Sequence, residues 1–404
     1  MDSTSTKLQQ TPTLKALEAR ALEVLESNWN DELRATLPHR ITYPHRWLWD
    51  SCFHAMAWSR LGRREGAIEL AAVLSSQLPT RDDRGFLPHM VYGDPERKGG
   101  DVDRGPLWGM SAFTQPPVYV MALSYLKQCG LETEPWMLDA AEAALEWLWS
   151  YRMHDGLLVL VHPWESGADI SPRFDDWYGP LHYEALDQDY DRLVRTTLYS
   201  PGGTAIGNPE CEVAAAAFNG IAQHAALLLA QLTGKQDWAD RAGALARELD
   251  AQLWDPDEGL WRDRPDKPAG AGELSSRIPT LDGVVAALGS SSGEHVQTAL
   301  EQCTGSGRFA APFGPRYLPK EHPLYQPTRY WRGPSWPQLN YLLVAAANQH
   351  GLASIAEEIS EHAIRGTWAS GFSEYWNPET GEACGATPQS WAAIAVLLTP
   401  EGRK

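Results

Sequence analysis

The chain has 404 residues, of which 43% are hydrophobic and 21% charged, and its formal net charge is -18. That length suffices for one large core or two ordinary domains, and the composition is globular rather than disordered. The negative balance works against nucleic acid and against anionic membrane surfaces, both of which call for clusters of Lys and Arg.

The start, Met1-Asp2-Ser3-Thr4, carries no basic and apolar leader, so a cytoplasmic protein is expected. From there the periodicity is helical. Leu14, Leu17, Ala21, Val24 and Leu25 form one stripe and predict a helix over 13–29. A close helix pair follows over 50–61 and 64–78, broken at Gly62. Further helices are expected over 117–129, 135–153, 210–233 (ending at Gly234, a C′ glycine) and 236–253. Weaker signals lie over 280–289 and 293–303, and the last helices over 335–350, 352–366 and 387–399. Between them recurs a Gly followed by a large apolar residue: Gly85-Phe86, Gly156-Leu157, Gly259-Leu260 and Gly371-Phe372. This suggests one unit used several times: helix, turn, short hairpin, next helix.

About twelve helices in sequence pairs, without long strands, leave a superhelical solenoid or a closed ring of six pairs. The ring accounts better for long Trp-rich and Asp-rich loops at 79–116, 161–209 and 304–334, which can converge on one mouth. The expectation is therefore an all-α, single-domain (α/α)6 toroid over 1–404. Residues 161–209 would form a cap, and 79–116, with hinge points at Gly99-Gly100 and Gly105-Pro106, a lid. No run approaches the roughly 18 apolar residues of a membrane span. The five cysteines (Cys52, Cys129, Cys211, Cys303, Cys384) are widely spaced without a C-x-x-C, as reduced thiols would be, and no metal or cofactor is expected.

The 18 Trp residues are a stronger signal. Trp147, Trp149 and Trp238 read as core, but Trp47, Trp49, Trp108, Trp164, Trp177, Trp331, Trp336 and Trp376 sit beside polar residues in loop-like segments. Flat rings with a polar handle suit sugar faces. Glycoside hydrolysis needs two carboxyl groups flanking the scissile bond, so carboxylates beside aromatic residues are the candidates. One group is Glu165 and Asp169, in a loop shaped by Pro163, Gly167 and Pro172 near Trp164, Phe174 and Trp177. An apolar wall there would keep a carboxyl protonated for acid work. Residue chemistry alone does not choose between the two. Another is Glu374, in an extended stretch before a turn over Asn377–Gly381, with Glu379 solvated in the turn. Its bland alternative is a buried Glu paired with an Arg such as Arg332. Tyr43 to Ser51 forms a polar and aromatic cluster leading into a helix, and Gln115 precedes another.

In order along the chain stand Trp-x-Trp-Asp-Ser (47–51), Gln-Pro-Pro (115–117), Glu-Ser-Gly-x-Asp (165–169), Trp-Arg-Gly-Pro-x-Trp (331–336) and Phe-x-Glu-Tyr-x-x-Pro-x-x-Gly (372–381). This series resembles glycoside hydrolase family 63, which includes processing α-glucosidase and bacterial mannosylglycerate and glucosylglycerate hydrolases. It covers about residues 40–395. The Glu-Ser-Gly-x-Asp element is also similar to the acid motif of trehalases, but Ala168 stands where trehalases carry Trp, which argues against trehalose. The resemblance implies an inverting mechanism with Asp169 as general acid and Glu374 as general base. Tyr43, Trp47, Trp49, Asp50, Gln115, Tyr330, Trp331 and Arg332 would line the sugar pocket. The chain is most similar to the glycosylglycerate hydrolases, with an α-glucosidase acting on kojibiose-type glucosides as the alternative. A glycerate leaving group would need cationic or hydroxyl partners, for which His89, Tyr92 and Arg104 in the 79–116 loop are the candidates. The expected partner is a small carbohydrate, with homo-oligomerisation left open. An inverting pair should stand about 6.5–9.5 Å apart.

Overall fold

The computed structural model describes residues 11–78, 83–93, 105–178, 186–267 and 274–400, with only the backbone described at 178, 186–189 and 267. In chain order the helices are α1 (Leu14–Asn28), α2 (Leu48–Arg60), α3 (Glu65–Leu74), α4 (Val118–Gln128), α5 (Pro135–Arg152), α6 (Asp175–Tyr178), α7 (Leu186–Thr196), α8 (Ala216–Thr233), α9 (Gln236–Gln252), α10 (Leu281–Val285), α11 (Gly293–Glu301), α12 (Pro337–Gln349) and α13 (Ala353–Ala369). Two 3-10 helices matter: Ala286–Gly289, which continues α10, and Ser390–Leu398.

Burial divides these elements into two kinds. In α2 every residue from Leu48 to Ser59 is buried, and Ser390–Leu398 is buried throughout. By contrast α1 buries a single stripe (Leu17, Ala21, Val24, Leu25, Asn28), and so does α9 (Trp238, Ala242, Leu245, Ala246, Leu249). A helix buried all round must be enclosed by others, whereas a stripe marks an outer helix. The enclosed elements touch in sequence order. α2 packs on α4, α4 on α8, α8 on Ala286–Gly289, that turn on α12, α12 on Ser390–Leu398, and this last element returns to α2.

Short antiparallel hairpins follow the outer helices, as the recurring Gly signal suggests. Met153 pairs with Leu158 after α5, Trp254 with Trp261 after α9, and Tyr375 with Cys384 after α13. The structure departs from the sequence reading at four places. α8 begins at Ala216 rather than 210, because Glu212–Ala214 pairs with Arg264–Lys267 and Asp263 Oδ1 accepts the Ala216 N–H at 2.8 Å. The stretch expected as a helix over 387–399 is the 3-10 helix Ser390–Leu398. Residues 280–289 divide into α10 and a 3-10 turn, and 161–209 holds two helices, α6 and α7. The parts of 79–116 that are described are packed rather than loose: Phe86, Leu87, His89, Met90, Ala112 and Phe113 are all buried.

One ion pair ties these parts together. Arg152, the last residue of α5, donates to both oxygens of Glu165 at 2.6 and 2.7 Å and to Ala205 O at 2.7 Å. Glu165 also accepts the N–H groups of Thr114 and Val161 at 3.2 and 2.9 Å. Both side chains are almost wholly enclosed. Removing one member of such a pair leaves the other charge buried. Glu165→Gln should therefore lower the unfolding free energy by about 3–5 kcal/mol, read by denaturant titration, and a loss below about 1 kcal/mol would contradict this role.

Candidate active site

Glu374 lies on the stretch that leaves α13 through two consecutive left-handed residues, Gly371 (φ 69°) and Phe372 (φ 65°). Its backbone N–H donates to Ala386 O at 2.8 Å, and its backbone carbonyl accepts the Trp391 indole N–H at 2.9 Å. The carboxylate accepts the Tyr43 hydroxyl at 3.0 Å on Oε1 and the Ala386 N–H at 3.0 Å on Oε2. A Cβ on Gly385 would stand 2.4 Å from Oε2, so this close approach requires glycine at 385. Among the described residues no cation pairs with Glu374, and Arg332, the partner considered from sequence, instead grips Asp175 with 2.7 and 2.9 Å bonds. Burial therefore dominates and pushes the Glu374 carboxyl up to about 7, against the pull of Ala386 and Tyr43; the charges of Asp50 and Asp169 push it further up.

Asp169 is half-buried and accepts the hydroxyl of Tyr190, on α7, at 2.9 Å on Oδ2. The loop that carries it turns at Gly167 (φ 75°), where a Cβ would come within 2.5 Å of the Trp49 ring; the indole thus lies directly against the acid loop. Glu165, the other carboxylate of this loop, is paired with Arg152 at 2.6 Å. Glu379 is not simply solvated as its turn position suggested: Arg316 and Tyr325 bond its carboxylate at 2.6 and 2.9 Å.

Asp50 stands in the first turn of α2, where the helix dipole favours an anion. It is buried, and burial pushes its carboxyl up to about 6 despite the charge of His54 and a hydrogen bond from the Gln389 side chain. Gln115 Oε1 accepts the Trp49 N–H at 3.3 Å. Tyr43 and Tyr330 both feel the charges of Asp169 and Glu374, which together with burial drive their hydroxyls well up. A chain of ring contacts joins the carboxylates: Tyr43 to Trp47 (6.3 Å between centroids), Trp47 to His89 (5.5 Å), His89 to Trp164 (6.0 Å) and Trp164 to Tyr190 (4.9 Å).

Other sequence candidates stand apart. Trp331 is 0% exposed and stacks on Trp336 at 3.7 Å, so it backs the wall while half-buried Tyr330 faces the site. Tyr92 is buried and packs edge-on against His45 at 5.8 Å. Arg332 anchors α6. Arg104 lies outside the described residues. Of the Trp residues read as sugar platforms, Trp336 and Trp376 are also fully buried, while Trp108 is 68% exposed. Sequence reasoning missed Tyr190 and Gln389. The first sits in an acidic amphipathic stretch with no motif; the second could have been suspected as an N-cap before the apolar run 390–398, whose Trp391 N–H it accepts at 2.8 Å.

Two carboxylates in aromatic surroundings, Asp169 bonded by the Tyr190 hydroxyl and Glu374 by the Tyr43 hydroxyl and the Ala386 N–H, are the equipment of acid–base glycoside cleavage. The family model of the mannosylglycerate hydrolase MGH1-like glycoside hydrolase domain matches residues 43–392. The chain belongs to this glycoside hydrolase family. The enzyme is 29% identical to the mannosylglycerate hydrolase of Thermus thermophilus, over 94% of this chain and 99% of that one. It is 27% identical to the glucosylglycerate hydrolase of Mycolicibacterium hassiacum, over 96% and 98%. The crystal structure of the GH63 mannosylglycerate hydrolase of Thermus thermophilus in complex with Tris and D-glycerate superposes with a TM-score of 0.76 at 26% identity, covering 95% of this chain and 99% of that chain.

In this glycosidase Tyr43→Phe removes a donor that holds Glu374 down. The carboxyl then titrates above about 7, and the ionised Glu374 is lost at a higher pH as the solution is acidified. The acid limb of kcat should move up by about one pH unit, measured on a pH–rate profile; an unmoved or lowered limb would break the link.

Proposed function

We propose that this glycoside hydrolase is an inverting α-glycosidase of small α-glycosides, with glucosylglycerate or mannosylglycerate as substrate. The observation that carries the reading is the unlike environment of the two carboxyls: Asp169 held by Tyr190, and Glu374 buried and braced by Tyr43 and Ala386. Asp169 protonates the glycosidic oxygen. Glu374 deprotonates a water on the opposite face of the ring, with the carboxyls about 6.5–9.5 Å apart. A base that titrates near neutrality matches that task. Asp50 and Gln115 take sugar hydroxyls, and Trp49 offers a ring wall. The relatives named for glycerate glycosides support a glycerate leaving group, whose carboxylate we assign to the side of His89, Tyr92 and Arg104.

The same reading makes the cyclic chain of contacts a closed (α/α)6 toroid, with 161–209 as a cap over the mouth and 79–116 as a lid. The Arg332–Asp175 pair, which joins α6 to the 329–336 stretch, supports the cap. No helix among the described residues is long and apolar enough to cross a membrane. All five cysteines are free, which fits a reducing cytoplasm.

Product analysis on glucosylglycerate, mannosylglycerate and neutral α-disaccharides tests the substrate. Release of glycerate is expected; release of glucose from disaccharides alone would favour the α-glucosidase alternative. Proton NMR of the nascent sugar should show the β anomer first, and an α product would rule out inversion. Asp169→Asn and Glu374→Gln should each cut kcat at least about 100-fold with unchanged thermal unfolding, while Arg104→Ala should raise KM for the glycerate glycoside.

A further inference from the structure

Behind Asp50 lies a buried polar chain that the mechanism above does not use. His54 follows Asp50 by one turn on the same face of α2. Its Nδ1 stands 3.1 Å from Glu69 Oε1 on α3, and its Nε2 2.8 Å from Ser390 Oγ. His54, Glu69 and Ser390 are all 0% exposed. The order Ser, His, Glu is that of a nucleophilic triad, but no substrate can reach it.

Counting hydrogens assigns the ring protons. Ser390 Oγ lies 2.8 Å from Leu37 O and 3.3 Å from Pro38 O. A hydroxyl has one hydrogen, and a carbonyl can only accept it. With that hydrogen on Leu37 O, the His54 Nε2 must itself donate to Ser390 Oγ. At the other end Trp58 Nε1 donates to Thr36 Oγ1 at 2.9 Å, so the Thr36 hydroxyl donates onward to Glu69 Oε2 at 2.7 Å. Glu69 is then a pure acceptor, and His54 Nδ1 donates to it. Both ring nitrogens carry protons, and every member of the chain from Trp58 to Leu37 is satisfied.

The chain also meets Asp50 from a second side. Ser390 is preceded by Gln389, whose Oε1 is committed to the Trp391 N–H at 2.8 Å. Its amide nitrogen is thereby turned to Asp50, with which the side chain is hydrogen-bonded. Charged and titratable groups around this cluster are Glu69 on α3, Asp50 and Cys52 on α2, Arg46 just before α2, and Glu374 across the site. Burial keeps the Cys52 thiol neutral.

We propose that His54 is a buried imidazolium, fixed by Glu69 and Ser390, and that it is the positioning residue that keeps Asp50 ionised and aimed at the sugar. The proposal rests on the role given above to Asp50 as a sugar-binding acceptor. An uncompensated Asp50 beside Glu374 would take up a proton and lose one acceptor for a sugar hydroxyl. A positive group one turn below opposes this without entering the pocket.

The experiment has two arms. The first is nitrogen NMR of the wild-type enzyme labelled at histidine: His54 should show two protonated ring nitrogens. A neutral tautomer would overturn the proposal. The second compares wild type with His54→Gln/Glu69→Gln, which removes both charges together so that neither stays buried alone. The acid limb of KM should rise by about one pH unit while the kcat limb, set by Glu374, stays. Equal KM limbs would overturn the positioning role. Ser390→Ala, which keeps both charges, should shift the KM limb less than the double variant; an equal shift would mean that packing, not charge, is responsible. If the wild type cleaves neither glycerate glycoside, the assigned activity fails, and the NMR arm still decides the state of His54.

Discussion

The structure depends on how it disposes of buried negative charge. A chain with a net charge of -18 buries several carboxylates, and each buried one must be neutralised or bear a desolvation cost. Most are neutralised. Arg152 takes Glu165, Arg332 takes Asp175, Arg316 takes Glu379, and Arg173 bridges Asp263 and Asp282. Asp50 and Glu374 are held differently: burial raises both carboxyls, opposed at Asp50 by the charge of His54 and the Gln389 side chain and at Glu374 by hydrogen bonds from Ala386 and Tyr43. The ion pairs build the scaffold, and Asp50 and Glu374 are left without an arginine or lysine partner among the described residues.

The scaffold pairs serve the site by fixing the loops that carry it. Arg152 and Glu165 join α5 to residues 114, 161 and 205, so the stretch from Glu165 to Asp169 starts from a rigid point. Arg173, through Asp263, reaches the residue that caps Ala216 at the start of α8. Tyr317 hydrogen-bonds both Ser171 and Asp282, so the end of the acid loop is tied to α10. Loops without regular structure thus hold positions that an acid–base pair requires.

Two close approaches complete the arrangement. Trp49 can lie on the acid loop because residue 167 has no Cβ, and Ala386 can donate to Glu374 because residue 385 has none. Both glycines also take left-handed backbone, so each removes two obstacles at once. The aromatic residues then form two sets. Trp331, Trp336 and Tyr375 stack into a wall, while the contacts from Tyr43 through His89 to Tyr190 run around the carboxylates.

Helical periodicity identified the elements that make up the core, because an apolar stripe every 3.6 residues is written in local spacing. Motif order identified Asp169 and Glu374, though residue chemistry could not separate Asp169 from Glu165. What the fold adds is the partner of Glu165, since only tertiary structure brings Arg152 onto it. The same holds for Trp331: its neighbours in sequence suggest a sugar platform, yet its stacking on Trp336 closes it off. Tyr190 carries no local signature, and the cap position of Gln389 says nothing of its contact with Asp50, because a side chain that braces a carboxylate from another part of the chain leaves no spacing to read. The sequence by itself determined which residues could do acid–base chemistry and the helical frame that presents them. Only tertiary structure decided which carboxylates are neutralised and which remain available, because ion pairing and desolvation depend on distances that are set when the chain closes on itself.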